Sequence, residues 1–409
     1  MPPKFLRYAL LLGALCAAPA LAEPERPGPA GAAFYQAPSP LPPGERGAVI
    51  WARPLAAEAS LPSAAANLLV LYRSTDAEGK AAAVSGTVAI PPGTPPAGGW
   101  PVITWAHGTT GLASACAPSL DTPEGRSIPT SAALRRLLDR FVRRGYAVVA
   151  SDYIGLGTPG PHPFLQGGPT GRNTLDMLRA ARRIEPAIGS RYAVMGHSQG
   201  GQVALFAGAL GPEVVPELTQ VGTLAFAPGS QIMDRLAMVR QAPDVQLSMP
   251  YVLYALQSFA GTYRDIDLQR LLTPPALVHL PDLQQGCMTH ALTTGYWAGA
   301  IARDQFLPDA DDTALARAAA ANEPGALRLP APVLIVQGTA DVTVMPEATD
   351  RLTHQLCGKG TRLAYRPEPG ADHNGSMVAG EAAAHAWIEA RFAGEAAASD
   401  CGSLPKAGK

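Results

Sequence analysis

The stretch RYAVMGHSQGGQVALFAGAL (Arg191–Leu210) decides the fold. It reads as a strand (Arg191–Met195), a sharp turn Gly196-His197-Ser198-Gln199-Gly200, and a helix (Gln202–Leu210). G-x-S-x-G in that strand–turn–helix setting is a nucleophile elbow. The glycines are needed because a side chain at either flank would meet neighbouring backbone, and the turn lifts the serine hydroxyl above the sheet near the positive end of a helix. Ser198 is therefore the candidate nucleophile.

Outward from this stretch, apolar runs alternate with helical ones. Asn67–Arg73 and Ala83–Ile90 read as an opening hairpin and Pro101–Ala106 as the first buried strand. Helix Ala132–Arg144, strand Tyr146–Ser151, helix Thr174–Ile184 and strand Gly222–Ala227 follow, with strands Pro332–Gln337 and Arg362–Arg366 and helix Glu381–Phe392 at the end. Strands separated by helices predict an α/β fold, a mostly parallel sheet with helices on both faces. The alternation lapses between about 229 and 329, where a helical, Leu- and Met-rich insertion predicts a cap over one end of the sheet.

A serine nucleophile needs a base held by an acid, in the chain order Ser, Asp/Glu, His for an α/β-hydrolase. Asp341 follows the next-to-last core strand (Q-G-T-A-D-V), and His373 (E-P-G-A-D-H-N-G) follows the last. His354 and His385 sit in helical patterns, and His107 and His197 precede the acid and read as support. The amide of Gln199 is the first expected oxyanion donor. For the second, the loop His107–Gly111 competes with the loop Ser151–Gly155. Gly155-Leu-Gly157-Thr-Pro-Gly160 also fits a dinucleotide fingerprint, but Pro159, Pro161 and Pro163 forbid the helix that would receive the pyrophosphate. In the cap, Met249, Tyr251, Tyr254 and Phe259 suggest an acyl pocket.

Composition agrees with an enzyme. The 409 residues are 47% hydrophobic and 16% charged, which supports a large core and excludes global disorder. A net charge of −1 argues against nucleic acid as a partner. No zinc-spaced Cys/His cluster and no phosphate-binding G-K-[ST] appears, so neither metal nor cofactor is expected. Residues 1–22, a basic start, an apolar run and Ala20-Leu21-Ala22, read as a signal peptide. Leu15 before Cys16 does not suit lipidation, so a secreted or periplasmic protein without a stable membrane anchor is expected. Residues 23–47 read as a Pro/Gly/Ala-rich leader ahead of a hydrolase domain, 48–409. The four remaining cysteines suit an oxidising compartment.

The ordered set H-G-T-T-G, S-D-Y-x-G, G-H-S-Q-G-G, G-x-x-D with V-x-V-M-P, and A-D-H resembles the secretory lipases of the lipase A type, from about Leu68 to Pro405. The resemblance implies Ser198, Asp341 and His373 as a triad and Asp152 as the second oxyanion-hole residue; Tyr153, next to Asp152, is a further substrate-binding candidate. It also implies the bridges Cys116–Cys287 and Cys357–Cys401. The chain ends at Lys409, soon after the second bridge, where the family's best-known member continues into a flap. The expectation is an esterase or lipase acting through an acyl-enzyme on short- to medium-chain esters. A serine peptidase, an acyltransferase or a non-catalytic binding module would share the scaffold. The oligomeric state is not legible in the sequence.

Overall fold

A computed structural model describes residues 27–55, 59–120 and 132–404. The expected signal peptide lies outside these. Nine strands form one sheet: β1 (Val49–Pro54), β2 (Ala66–Thr75), β3 (Ala81–Ile90), β4 (Trp100–Ala106), β5 (Ala147–Ser151), β6 (Ile188–His197), β7 (Thr219–Phe226), β8 (Val333–Gly338) and β9 (Leu363–Glu368). Their order is β1-β2-β3-β5-β4-β6-β7-β8-β9. The expected hairpin is β2/β3, in antiparallel register from Ala66↔Ile90 to Thr75↔Ala81, and β1, unforeseen, adds an antiparallel edge. From β5 through β9 every pairing is parallel.

The helices that cover the sheet are amphipathic where one face meets solvent. In α1 (Ala132–Arg143), Leu134, Leu137, Leu138, Phe141 and Val142 recur at helical spacing and are buried, while its arginines stay outside. With α11 (Gly375–Phe392), α1 covers one face of the sheet; α2 (Gly167–Ile184) and α3 (Gln199–Val214) cover the other. A further helix, α10 (Pro346–Gly358), joins β8 to β9. The helix α2 begins seven residues before the expected Thr174, because the Gly-Gly-Pro-Thr-Gly start carries no apolar periodicity.

The leader is not merely superficial. A short 3-10 turn, Gly31–Tyr35, seats Phe34 and Tyr35 fully inside, against Ile50, Leu69 and Leu71. Burying two aromatic side chains there contributes about 3–6 kcal/mol.

Between β7 and β8 the chain leaves the sheet and forms α4 (Ile232–Gln241), α5 (Met249–Thr262), α6 (Pro274–His279), α7 (Asp282–Gln285), α8 (Met288–Thr293) and α9 (Thr313–Ala321). These helices enclose their own apolar cluster, which includes Leu253, Phe259, Trp297, Phe306 and Leu315. A disulfide, Cys116–Cys287, ties this layer to the loop after β4, and beside it Met288 N–H donates to the Thr110 carbonyl at 2.8 Å. A second disulfide joins Cys357 at the end of α10 to Cys401.

The strand order places the site. From β4 the chain crosses to β5 on one side, and from β5 it crosses back over β4 to β6 on the other. The carboxyl ends of β4 and β6 therefore border a crevice where connections depart in opposite directions, the position where open α/β sheets bind ligands.

Candidate active site

Ser198 stands on that crevice between β6 and α3. Its backbone is strained, at φ 60° and ψ −122°, a conformation an L-residue keeps only where its surroundings impose it. A Cβ on Gly196 would lie 2.0 Å from the Gly200 carbonyl oxygen, and one on Gly200 would lie 2.0 Å from the Ala106 carbonyl oxygen. Only glycine fits at either place, which is the physical content of the motif.

Asp341 and His373 meet. The loop after β8 delivers Asp341 and the loop after β9 delivers His373, whose Nδ1–H donates to Asp341 Oδ2 at 2.7 Å. Asp341 is buried, and burial alone would raise its pKa. The His373 bond and the Val344 and Thr343 amides outweigh that and hold the carboxylate below the ordinary aspartate range. Those amides donate to Oδ1 at 2.9 and 2.8 Å, and Gln337 Nε2 donates to Oδ2 at 3.2 Å.

His197, next to the serine, fastens the histidine loop: its Nε2–H donates to the His373 carbonyl at 3.0 Å, and the two rings lie 4.5 Å apart. Burial, with the nearby His373 second, pulls its pKa down to about 3, so it is a neutral donor. Among the described residues Ser198 Oγ makes no hydrogen bond to the His373 ring, as is common before substrate tightens a site.

The hydroxyl opens on a cavity of about 280 Å3 that Thr109, Gln199, Phe164, Tyr251, Phe259 and Met238 help to line. Gln199 and Thr109 both line it, and their peptide N–H groups are the candidate oxyanion donors. Among the described residues neither is used by another backbone acceptor.

Several sequence expectations need correction. Asp152 is not at the crevice: it follows β5, and β4 lies between β5 and β6. Its N–H donates to the Ser85 carbonyl at 2.8 Å, and its carboxylate accepts from Ser85 Oγ at 2.6 Å and from Ser119 N and Oγ at 2.9 and 2.5 Å. No donor of Asp152 is left for an oxyanion. Tyr153 is fully buried with its hydroxyl bonded to the His107 carbonyl, and it does not reach the cavity. On α5, Tyr251 and Phe259 line the cavity, whereas Met249 and Tyr254 pack into the helical layer.

Other residues at the site escaped the sequence reading. Arg235 on α4 donates to the carbonyls of Val342 and Thr343, bracing the Asp341 loop. Gln337 ends an apolar strand, and that polar residue was a usable signal. Nothing periodic marks His162, in a proline-rich loop.

Comparison with known proteins decides the family. The profile of the family described as "Secretory lipase" matches residues 130–400. The chain belongs to the secretory lipase family. It is similar to Lipase 6 of Candida albicans, 24% identical over 363 residues that make up 83% of this chain and 75% of that protein. The solved structure of Candida antarctica lipase A superposes with a TM-score of 0.77 at 20% identity, covering 92% of this chain and 89% of that one. The rice cell wall degrading esterase LipA of Xanthomonas oryzae superposes with a TM-score of 0.69 at 19% identity, over 86% of this chain and all of the other. As a secretory lipase with an α/β-hydrolase fold, the chain is a lipase-like hydrolase. Among its described residues, no helix is long and apolar enough to cross a membrane.

Proposed function

We propose that this secretory lipase hydrolyses carboxylic esters through an acyl-enzyme, with Ser198, His373 and Asp341 as its triad. One observation carries the reading: the Asp341–His373 pair is fastened through His197 to a strained Ser198 that faces an apolar cavity. Asp341 accepts from Nδ1 and so keeps the Nε2 lone pair of His373 free to act as base.

Ser198 Oγ attacks the ester carbonyl carbon while His373 Nε2 takes the hydroxyl proton. The carbonyl oxygen gains negative charge, which the Gln199 and Thr109 amides stabilise. The C–O bond to the alcohol breaks, and His373 returns the proton to the departing oxygen. Water then attacks the acyl-serine in the same way and releases the carboxylic acid. The amide of Thr109, not Asp152, supplies the second donor in this reading, since it shares the cavity with Ser198.

A cavity of about 280 Å3 supports short to medium acyl groups, because it lies at the lower edge of the ~300–1,000 Å3 of small-molecule sites. Two disulfides support an oxidising, secreted or periplasmic setting. A fluorophosphonate probe tests the assignment. It is expected to label Ser198 stoichiometrically, and Ser198→Ala is expected to lose activity by orders of magnitude with the fold intact. Labelling of another serine would overturn it.

A further inference from the structure

Behind the loops that carry Thr109 and Gln199, three rings lie stacked. Tyr153 is fully buried, its ring stacked with that of His107 (centroids 4.1 Å apart, planes at 23°) and with that of His162 (5.9 Å, 7°). None of the three reaches the cavity where the ester would sit.

Each end of the stack leads to one oxyanion donor. At the first end, the ring nitrogens of His107 lie 2.7 Å from the Gly108 carbonyl oxygen and 3.1 Å from that of Asp152. The Tyr153 hydroxyl donates to the His107 carbonyl at 3.1 Å. Both the side chain and the main chain of His107 are thus held two residues before Thr109.

At the other end, His162 Nδ1–H donates to the Ile154 carbonyl at 3.1 Å. That bond fixes the tautomer and leaves Nε2 as an acceptor, which takes the side-chain N–H of Gln199 at 2.9 Å. Burial keeps His162 neutral, with its pKa pulled down to about 3, so the acceptor persists at working pH. The amide oxygen of Gln199 is buried with no hydrogen-bond partner among the described residues. An apolar side chain would avoid that cost, so the bond to His162 is what the glutamine gains.

We propose that the His107–Tyr153–His162 stack is a positioning element that sets the separation of the Thr109 and Gln199 amides. This deepens the acyl-enzyme reading and rests on it. The two donors sit on different strands' loops, and the sheet alone does not fix side-chain-deep details across β4 and β6. A buried stack of rigid rings, bonded at both ends, does. The demand is strict, since a misplacement of about 1 Å costs up to about 100-fold in rate.

Two variants approach the same bond from opposite sides. His162→Phe keeps a ring in the stack and removes the acceptor; Gln199→Met removes the donor at similar length. Each is expected to lower kcat about 10- to 100-fold with KM within about twofold, the signature of an interaction made only in the transition state. Fluorophosphonate labelling of Ser198 should slow by the same factor, and the double variant should lose no more than either single one. Wild-type kcat in both variants, additive losses in the double variant, or a loss confined to KM would overturn the proposal. Should His162→Phe fail to fold, Gln199→Met alone decides between these outcomes. Thr109→Pro separates the two levels of argument, because it removes the amide donor directly. If it leaves kcat unchanged, the oxyanion reading itself falls. If it abolishes kcat while His162→Phe and Gln199→Met do not, only the stack is refuted.

Discussion

Replacing Asp341 by asparagine tests the proposed chemistry most sharply, because four N–H groups converge on its carboxylate. Thr343 and Val344 amides donate to Oδ1 at 2.8 and 2.9 Å, and His373 Nδ1 and Gln337 Nε2 donate to Oδ2 at 2.7 and 3.2 Å. An asparagine replaces one of these two oxygens by an NH2 group, and that group faces donors whichever way it is turned. Toward Oδ1 it would confront two main-chain amides that cannot rotate. It therefore turns toward His373, whose ring can respond by moving its proton from Nδ1 to Nε2. That tautomer has no lone pair facing the serine and cannot accept its proton. The loss expected is about 10,000-fold in kcat, or about 5 kcal/mol of transition-state stabilisation, with KM little changed. Steady-state hydrolysis of p-nitrophenyl butyrate measures it, with circular dichroism to show that the variant folds. Activity within tenfold of the parent would refute the assignment of the acid.

The same substitution has a pH signature in stability. Asp341 is held below the ordinary aspartate value, so it contributes stability that is present above about pH 4 and is lost as pH falls through its own lower pKa. The parent should melt above Asp341→Asn at neutral pH, and the gap should close on acidification.

Three further expectations follow from the site and its supports. Thr109→Pro should lower kcat by about 100- to 1,000-fold, whereas Asp152→Asn should cost about 1–3 kcal/mol of folding stability and leave the kcat of the folded enzyme nearly unchanged; kinetics beside thermal melts separates the two, and the reverse pattern would restore Asp152 to the oxyanion hole. Mass spectrometry of the unreduced protein should find Cys116–Cys287 and Cys357–Cys401 bridged, each worth about 2–4 kcal/mol, and four free thiols would reject the pairing. Across p-nitrophenyl esters from acetate to palmitate, kcat/KM should peak below about ten acyl carbons, each earlier methylene adding up to ~0.8 kcal/mol, and a continued climb to palmitate would show a longer channel.

The sequence announced the elbow because the chemistry there is local. Gly196 and Gly200 flank Ser198 because a side chain at either would meet the Gly200 or the Ala106 carbonyl, and the flanking strand and helix are written in ordinary periodicities. Asp341 and His373 were legible through chain order alone, since the loops after β8 and β9 are where this topology delivers them. Asp152 came from the family resemblance, and the residues alone, which left its loop competing with His107–Gly111, could not correct it because chain order is not sheet order. Strand β5 follows β4 in sequence, yet β4 lies between it and β6, and no residue in either strand states that. Of the four α5 residues only Tyr251 and Phe259 line the cavity, for a related reason: the helix is apolar nearly all round, so its sequence does not say which side meets the cavity and which meets its own layer. His162 was invisible because its role is set by a contact 37 residues along the chain, in a loop without a pattern.

The seam at Cys116–Cys287 has a mechanical consequence. Together with the Gly111↔Cys287 bridge and the bond from Met288 to Thr110, it pins the helical layer within a few residues of Thr109. The layer therefore has an axle, and it runs beside the amide proposed as the second oxyanion donor. The helix α4, by contrast, meets the loop after β8 and the helix α10 through side chains, with Arg235 donating to the Val342 and Thr343 carbonyls and Asp234 paired with Arg351. Covalent and main-chain ties thus fall beside Thr109, and exchangeable side-chain ties fall at α4.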